Sequence, residues 1–340
     1  MDIKSIPFFN MVKVFLTEHM PLMRHNSTHT IRSYKNAINL FVEYLKSKNI
    51  DIKNITFDII TEEEVRNFLR WLETSKKNKY QTINIRLCAI KIFCKFIANR
   101  ETCFTENYLK ILKIEKLKEE IKPIEYIQQK DIDILFSLPD VSKKKGRRDL
   151  FLMELMYATA AREDEISKLT IDSFITNNNN VSIKLIGKGN KTRFVPIDDK
   201  LYEKLKIYIS DFNICKNDPL FNSTIHNKKV PISKSSIYKI INSYSEKLSQ
   251  KSETSPKSIW PHLLRHSRAM YWYTNGISLD IIAQLLGHSQ VETTLIYAYA
   301  DTEMKRKALE KIDSTDSANN NHELSLLDEE EIIMKLSALR

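Results

Sequence analysis

The chain has 340 residues, 42% of them hydrophobic, which suits about two domains with real cores. Its 53 Lys and Arg against 43 Asp and Glu leave a net charge of +10, and because residues 313–340 are acidic the remainder is more basic still; that favours a polyanionic partner, since neutralised phosphates release counterions. Five glycines leave little room for phosphate-cradling loops, four scattered cysteines (Cys88, Cys94, Cys103, Cys215) give no disulfide framework or zinc site, and no apolar run is long enough to span a membrane. With no signal-peptide core at the N-terminus, a cytoplasmic protein is expected.

In chain order, the first third reads as four short helices. Phe8, Met11, Val12 and Phe15 mark one apolar face, and Ile31, Tyr34, Ile38, Phe41 and Leu45 mark the next, after the cap candidates Ser27 and Thr28. "TEEEVRNFLRWL" opens with Thr61 and Glu64 as a capping box and buries Val65, Phe68, Leu69 and Leu72, while "TINIRLCAIKIFCKFI" repeats Ile83, Leu87, Ile90 and Phe93 or Cys94. The charged run "KIEKLKEEIKPIEYI" shows no core face and reads as a linker.

A second unit begins near Gln128, with a basic loop "SKKKGRRD" ahead of a helix through Phe151, Leu152, Leu155 and Met156. In "VSIKLIGKGNKTRFVPI" the period changes to two: Val181, Ile183 and Leu185 alternate, a Gly-Lys-Gly-Asn turn follows, and Phe194 and Ile197 close a returning strand. Helices resume at Leu201 and Ser233. Three more follow, from Pro261 to Thr274, from Leu279 to Leu286 with Gly287 as stop, and from Ser289, which forms a capping box with Glu292. The last residues suggest a flexible acidic tail ending in a short amphipathic helix. The fold class is therefore mainly α with a small antiparallel β-sheet.

Several residues near element ends form a coherent chemical set. Arg162 sits at a helix start, Lys188 in the hairpin turn, and His262 and Arg265 share a helix face at i, i+3; His288 follows a helix stop, with Tyr297 a short helical step beyond. Paired guanidiniums hold a tetrahedral phosphate, Lys and His move protons, and a tyrosine hydroxyl supplies a covalent nucleophile. No acidic cluster suits two metal ions and no Walker-type loop occurs, so such phosphoryl transfer would be independent of metal and ATP.

The stretches "ATAAREDEISKL", "IGKGNKTRFVPI", "HLLRHSRAMYWYTNG" and "IIAQLLGHSQVETTLIYAYAD" resemble, in order and spacing, the motifs of the tyrosine recombinase (phage integrase) family, of Xer or mobile-element integrase type. The resemblance implies a helical, SAM-like core-binding domain over 1–112, a linker over 113–126, a mixed α/β catalytic domain over 127–312 and a tail over 313–340. It makes Arg162 and Arg265 the clamp on a scissile DNA phosphate and Lys188 the acid on the leaving 5′ oxygen, with Lys191 and Arg193 as competitors for that role that are expected to touch backbone phosphates instead. His262 would bond the phosphate and assist proton transfer from the tyrosine, His288 would donate to a phosphate oxygen, and Tyr297 would attack to give a 3′-phosphotyrosine. Tyr299 is expected to point away as a packing residue, His266 to lie on another helix face as a structural one, and Glu165 to orient Arg162. Ala160 stands where many relatives carry Gly.

The same resemblance implies double-stranded DNA with core sites as partner, no cofactor and no metal, a homotetrameric synapse and accessory DNA-binding proteins. Lys76, Lys77, Lys79 and "KKKGRR" are expected to line the DNA clamp, the last helix to dock on a neighbouring subunit, and the early start of the helices to leave no room for an arm-site domain. The expected function is recombination for a mobile element, as integrase or transposase. Xer-type resolution of chromosome or plasmid dimers, a topoisomerase of the same chemistry, and a catalytically inactive DNA-binding regulator are the alternatives.

Overall fold

The computed structural model describes residues 7–24, 28–118, 124–177, 180–225, 228–288, 293–300, 302 and 306, and of Met23, Arg24, Lys188 and Ile225 the backbone alone. The expected cap at Ser27, the Ser289 and Glu292 box, the acidic tail and its last helix lie outside the described residues. The chain divides into two compact units, residues 1–121 and 122–340. It is mostly helical with small antiparallel sheets. No described helix is long and apolar enough to cross a membrane.

In the first unit α1 (Phe8–Val14) passes through a π-helical turn (Phe15–His19) into α2 (Met20–Arg24), and α3 (Thr28–Ser47), α4 (Glu62–Thr74), α5 (Tyr80–Ala98) and α6 (Thr105–Leu112) follow. The stripes expected of them are buried: Phe8, Phe15, Phe41, Phe68, Ile83, Leu87 and Phe93 belong to one apolar cluster, as does Cys94. Thr61 caps α4 by accepting the Glu64 amide at 3.2 Å, so half of the expected box forms. The Glu64 carboxylate instead takes the Lys48 ammonium at 2.7 Å and the Tyr44 hydroxyl at 2.6 Å.

The charged run after α6 is not featureless. Ile114 is buried in the cluster, and Asn84 of α5 clamps the Leu117 backbone from both sides, its amide donating to the carbonyl at 2.9 Å and its oxygen accepting the N–H at 2.8 Å. A single Ile among charges has no periodicity, which is why the sequence pattern concealed this attachment.

In the second unit α7 (Gln129–Ser137) precedes α8 (Lys144–Thr159), whose buried Phe151, Leu152, Met153, Leu155 and Met156 cover most of its circumference, as expected of a central helix. The basic stretch is not a loop: α8 starts at Lys144, Arg147 pairs with Asp211 at 2.7 Å, and Arg148 pairs with Asp149 at 2.7 Å. Arg148 is thus committed to a buried acid, whereas the Arg147 and Asp211 pair lies at the surface.

Helix α9 (Glu163–Ser167) leads into an antiparallel sheet of β1 (Phe174–Asn177), β2 (Asn180–Ile186) and β3 (Thr192–Ile197), in that order. Val181, Ile183 and Leu185 alternate inward as their period required. On β3 the inward residues are Arg193 and Val195, whereas Phe194 is 54% exposed. After α10 (Asp199–Phe212) comes a second hairpin, β4 (Asn222–Ile225) and β5 (Lys228–Pro231), too short and polar to show a period. Helices α11 (Lys234–Asn242), α12 (Ser245–Ser249), α13 (Pro261–Thr274) and α14 (Leu279–Leu286) follow, and residues 295–300 are helical. Pro261 occupies the first turn of α13, and α14 stops at Gly287 with φ 65°, a left-handed cap that glycine adopts without strain.

Candidate active site

Two helix ends meet one arginine. Arg265, 3% exposed on α13, donates to the Ala160 carbonyl at 2.6 Å, at the end of α8, and to the Leu286 carbonyl at 2.5 Å, at the end of α14. Helix C-termini carry unsatisfied carbonyls and partial negative charge, so the guanidinium is fixed before any ligand arrives. Ala160 takes the left-handed conformation there, φ 48°, which costs an L-residue about 1–2 kcal/mol. Burial, with Arg162 and Arg193 nearby, lowers the Arg265 pKa to about 9, and it stays cationic at neutral pH.

Arg162 is held by a buried carboxylate. Glu165, 3% exposed, accepts the Arg162 backbone amide at 2.8 Å and its Nη1 at 3.1 Å, which bears out the expectation that it orients this guanidinium. Arg193 of β3 grips both oxygens of the same carboxylate and gives its Nε to the Leu285 carbonyl at 2.8 Å. Burial resists ionisation of Glu165, but the Arg193 hydrogen bonds and charge, helped by Arg162, outweigh it and lower its pKa. The expectation that Arg193 touches DNA phosphate is therefore corrected: its side chain is 7% exposed and its donors face Glu165 and a carbonyl. Gly187 makes this closeness possible, since a Cβ there would stand 3.0 Å from Glu165 Oε1.

Three imidazoles line the same wall. His288 follows Gly287 and its Nδ1 lies 2.8 Å from the Thr294 hydroxyl. His262 and His266, one turn apart on α13, face each other edge-on with ring centroids 5.8 Å apart. Burial, reinforced by Arg265 and by neighbouring histidine or arginine charge, lowers all three pKa values, to about 4 for His266 and His288. They are neutral at physiological pH.

Tyr297 lies behind them, 0% exposed, with its hydroxyl 3.0 Å from His266 Nδ1. Burial raises its pKa to about 12 against the pull of Arg265 and Arg162. His266 is thus misplaced in the reading that put it on another helix face: it borders both the cavity and the phenol. The spacing carried that signal, because residues i and i+4 from His262 share a side of the helix. Tyr299 points away, as expected, but is 61% exposed and so packs against little.

A cavity of about 450 Å³ joins these groups, lined by Arg162, Gly187, Lys191, Arg193, His262, Arg265, His266, Gly287, His288, Thr293 and Ile296. Lys191 is at its edge, exposed, its ammonium 3.4 Å from the His288 carbonyl. Lys188 begins the hairpin turn Lys188–Asn190, in which Gly189 has φ 72°; its side chain lies outside the described residues. In the first unit Lys76, Lys77 and Lys79 cluster in the exposed turn between α4 and α5. The Lys76 ammonium is paired with Glu43 at 2.6 Å and sits over the Trp71 ring, whereas Lys77 has φ 51°.

Cationic donors around a cavity of this size, with a buried phenol hydrogen-bonded to one of its lining histidines, define a site for covalent phosphodiester chemistry. The pattern of the phage integrase family matches residues 125–304, and that of the phage integrase N-terminal SAM-like domain matches residues 16–102. Tyrosine recombinase XerC of Bacillus subtilis is 30% identical over 305 residues, covering 87% of this chain and 94% of its own, and XerC of Chlamydia pneumoniae is 28% identical over 309 residues, covering 85% and 94%. In fold, the chain is similar to XerH site-specific recombinase bound to palindromic difH substrate (TM-score 0.66, 22% identity, 84% of this chain and 80% of that one). It is likewise similar to the Tn1549 transposon integrase in complex with a circular intermediate DNA (TM-score 0.63, 16% identity, 86% and 98%). The chain belongs to the phage integrase family and is a tyrosine-type site-specific recombinase.

Proposed function

We propose that this enzyme cuts and rejoins double-stranded DNA through a 3′-phosphotyrosine formed at Tyr297. The observation that carries the reading is the convergence of Arg162, Arg265, His262 and His288 on one cavity wall, with the Tyr297 hydroxyl directly behind it. Arg162 and Arg265 bind the nonbridging oxygens of the scissile phosphate and stabilise the charge of the phosphorane-like transition state. His262 and His288 add hydrogen bonds to those oxygens. Lys188, carried on the hairpin turn, protonates the leaving 5′ oxygen, and Lys191 at the cavity edge contacts a neighbouring backbone phosphate. The phosphotyrosine conserves the bond energy, so rejoining needs neither metal nor nucleotide.

Residues 1–112 act as the core-binding domain and 127–312 as the catalytic domain of a clamp on DNA, joined by 113–126. Lys77 and Lys79 meet phosphates, as does Lys76 once released from Glu43. Four copies assemble on two sites in the cytoplasm. For the biological role, the XerC relatives match across 94% of their own length and favour resolution of chromosome or plasmid dimers over the mobile-element integrase expected at first. The integrase role stands as the alternative; the Tn1549 enzyme shares the fold, at an identity that speaks for fold alone.

The deciding experiment is sequencing of the DNA ends covalently trapped on the protein. A single recurrent chromosomal or plasmid core site supports dimer resolution, and the ends of one element support integration. Absence of any adduct would revive the DNA-binding regulator.

A further inference from the structure

The phenol of the proposed nucleophile does not meet the residue to which the family resemblance assigns its proton. Its hydroxyl is bonded to His266 Nδ1 at 3.0 Å, and His266, unlike Tyr297, lines the cavity. We propose that His266 is a further catalytic residue: its Nδ1 holds the Tyr297 hydroxyl in the resting site and takes the phenolic proton as that oxygen attacks phosphorus. The inference rests on Tyr297 being the nucleophile.

The step balances without a co-reactant. The Tyr297 O–H bond breaks and its proton passes to His266 Nδ1, while the freed pair on the phenolic oxygen forms the new O–P bond. The P–O5′ bond breaks, and its oxygen leaves with a proton from the general acid. In rejoining, the 5′ hydroxyl attacks and gives its proton back to the general acid, the P–O bond to tyrosine breaks, and His266 returns the proton to the departing phenolic oxygen. For Nδ1 to accept, the imidazole carries its proton on Nε2.

The surroundings suit a base that works only in a loaded site. Around His266 stand His262 and Arg265 on its own helix, Arg162 at the start of α9, His288 after α14, and Tyr297 itself. Burial, then His262 and Arg265, hold the imidazole neutral with a pKa of about 4, so the acceptor form is ready at physiological pH but the imidazolium is disfavoured. A phosphate entering the cavity brings the negative charge that reverses this, because an adjacent anion favours the protonated ring. Proton transfer is thereby tied to occupancy, and an empty enzyme keeps its phenol protonated.

The test uses full-length protein and duplexes carrying the core site identified from trapped adducts, made with either oxygen or sulfur at the scissile 5′ bridging position. A 5′ thiolate leaves without protonation, so sulfur rescues the loss of a general acid and not the loss of a base. His266→Asn keeps an oxygen that can accept the Tyr297 hydrogen bond but cannot take its proton. It should form adduct about a hundredfold more slowly or worse, with DNA affinity unchanged, and stay slow on the sulfur duplex, where Lys188→Ala recovers. On the sulfur duplex the wild-type rate should fall on the acid side as His266 protonates, and His266→Asn should lack that limb. Near-wild-type cleavage by His266→Asn, or a sulfur-resistant defect confined to His262→Asn, would overturn the proposal. Should His266→Asn melt below the assay temperature, His266→Gln supplies the same comparison. A wild-type protein that forms no adduct overturns the recombinase reading itself, a result separable from these.

Discussion

Arg193 closes both of its terminal nitrogens on the Glu165 carboxylate, and through that carboxylate it is connected to Arg162. The pair is buried, the side chains 7% and 1% exposed, and each charge depends on the other for solvation. Removing either member strands its partner, so Glu165→Gln should lower stability by about 3 kcal/mol. Because the folded pKa of Glu165 is depressed, its contribution is present above the ordinary carboxylate range and lost as pH falls through the folded value. Thermal melts of wild type and Glu165→Gln should therefore converge in acid; a gap that persists at low pH contradicts the ion-pair account.

The placement of two neighbouring cations separates structure from contact. Lys191→Ala should reduce the slope of log affinity against log salt by about one, as expected for one lost phosphate contact, and leave the melting temperature nearly unchanged. Arg193→Ala should do the reverse. Filter binding across a salt series, paired with melting curves, checks both, and a reduced slope for Arg193→Ala would restore it to the DNA interface.

Tyr297→Phe should abolish covalent adducts while costing about 1 kcal/mol of stability through the lost hydrogen bond to His266. Tyr299→Phe, altering a ring that is 61% exposed, should leave both unaffected. Denaturing gels of trapped complexes read the outcome; adducts from Tyr297→Phe that vanish in Tyr299→Phe would reverse the assignment.

The half-buried histidines predict an acid limb in stability. With folded pKa values of about 4 for His266 and His288 and ordinary values when unfolded, the unfolded chain binds more protons between those limits. Stability should rise as pH increases from about 4 to about 6.5 and level off above. His288→Gln should flatten that rise, measured by denaturant titration at several pH values.

Much of this site could be read from the chain because its residues sit at marked places. Pro261, the Asn275 and Gly276 stop and Gly287 bound α13 and α14 where the sequence placed them, so His262, Arg265 and His288 were correctly located on elements. Arg193 was harder. In sequence it is one more cation in a basic turn, and only its alternation with Val195 marks it as inward; the acid that accepts it lies 28 residues earlier. His266 reads as structural from its place directly after Arg265, yet its i, i+4 relation to His262 puts it on the cavity side. Short polar β4 and β5, and the lone Ile114, lack the repetition from which a periodic signal arises.

Arg265 draws its support from the main chain: its acceptors are the carbonyls of Ala160 and Leu286. Every amino acid supplies such a carbonyl, so no exchange of side chain at either position can delete the acceptor itself. Only a change in where α8 or α14 ends could do so. What descendants of this protein must inherit to keep that arginine in place is thus a pair of helix lengths, a geometric legacy that tolerates wide drift in spelling.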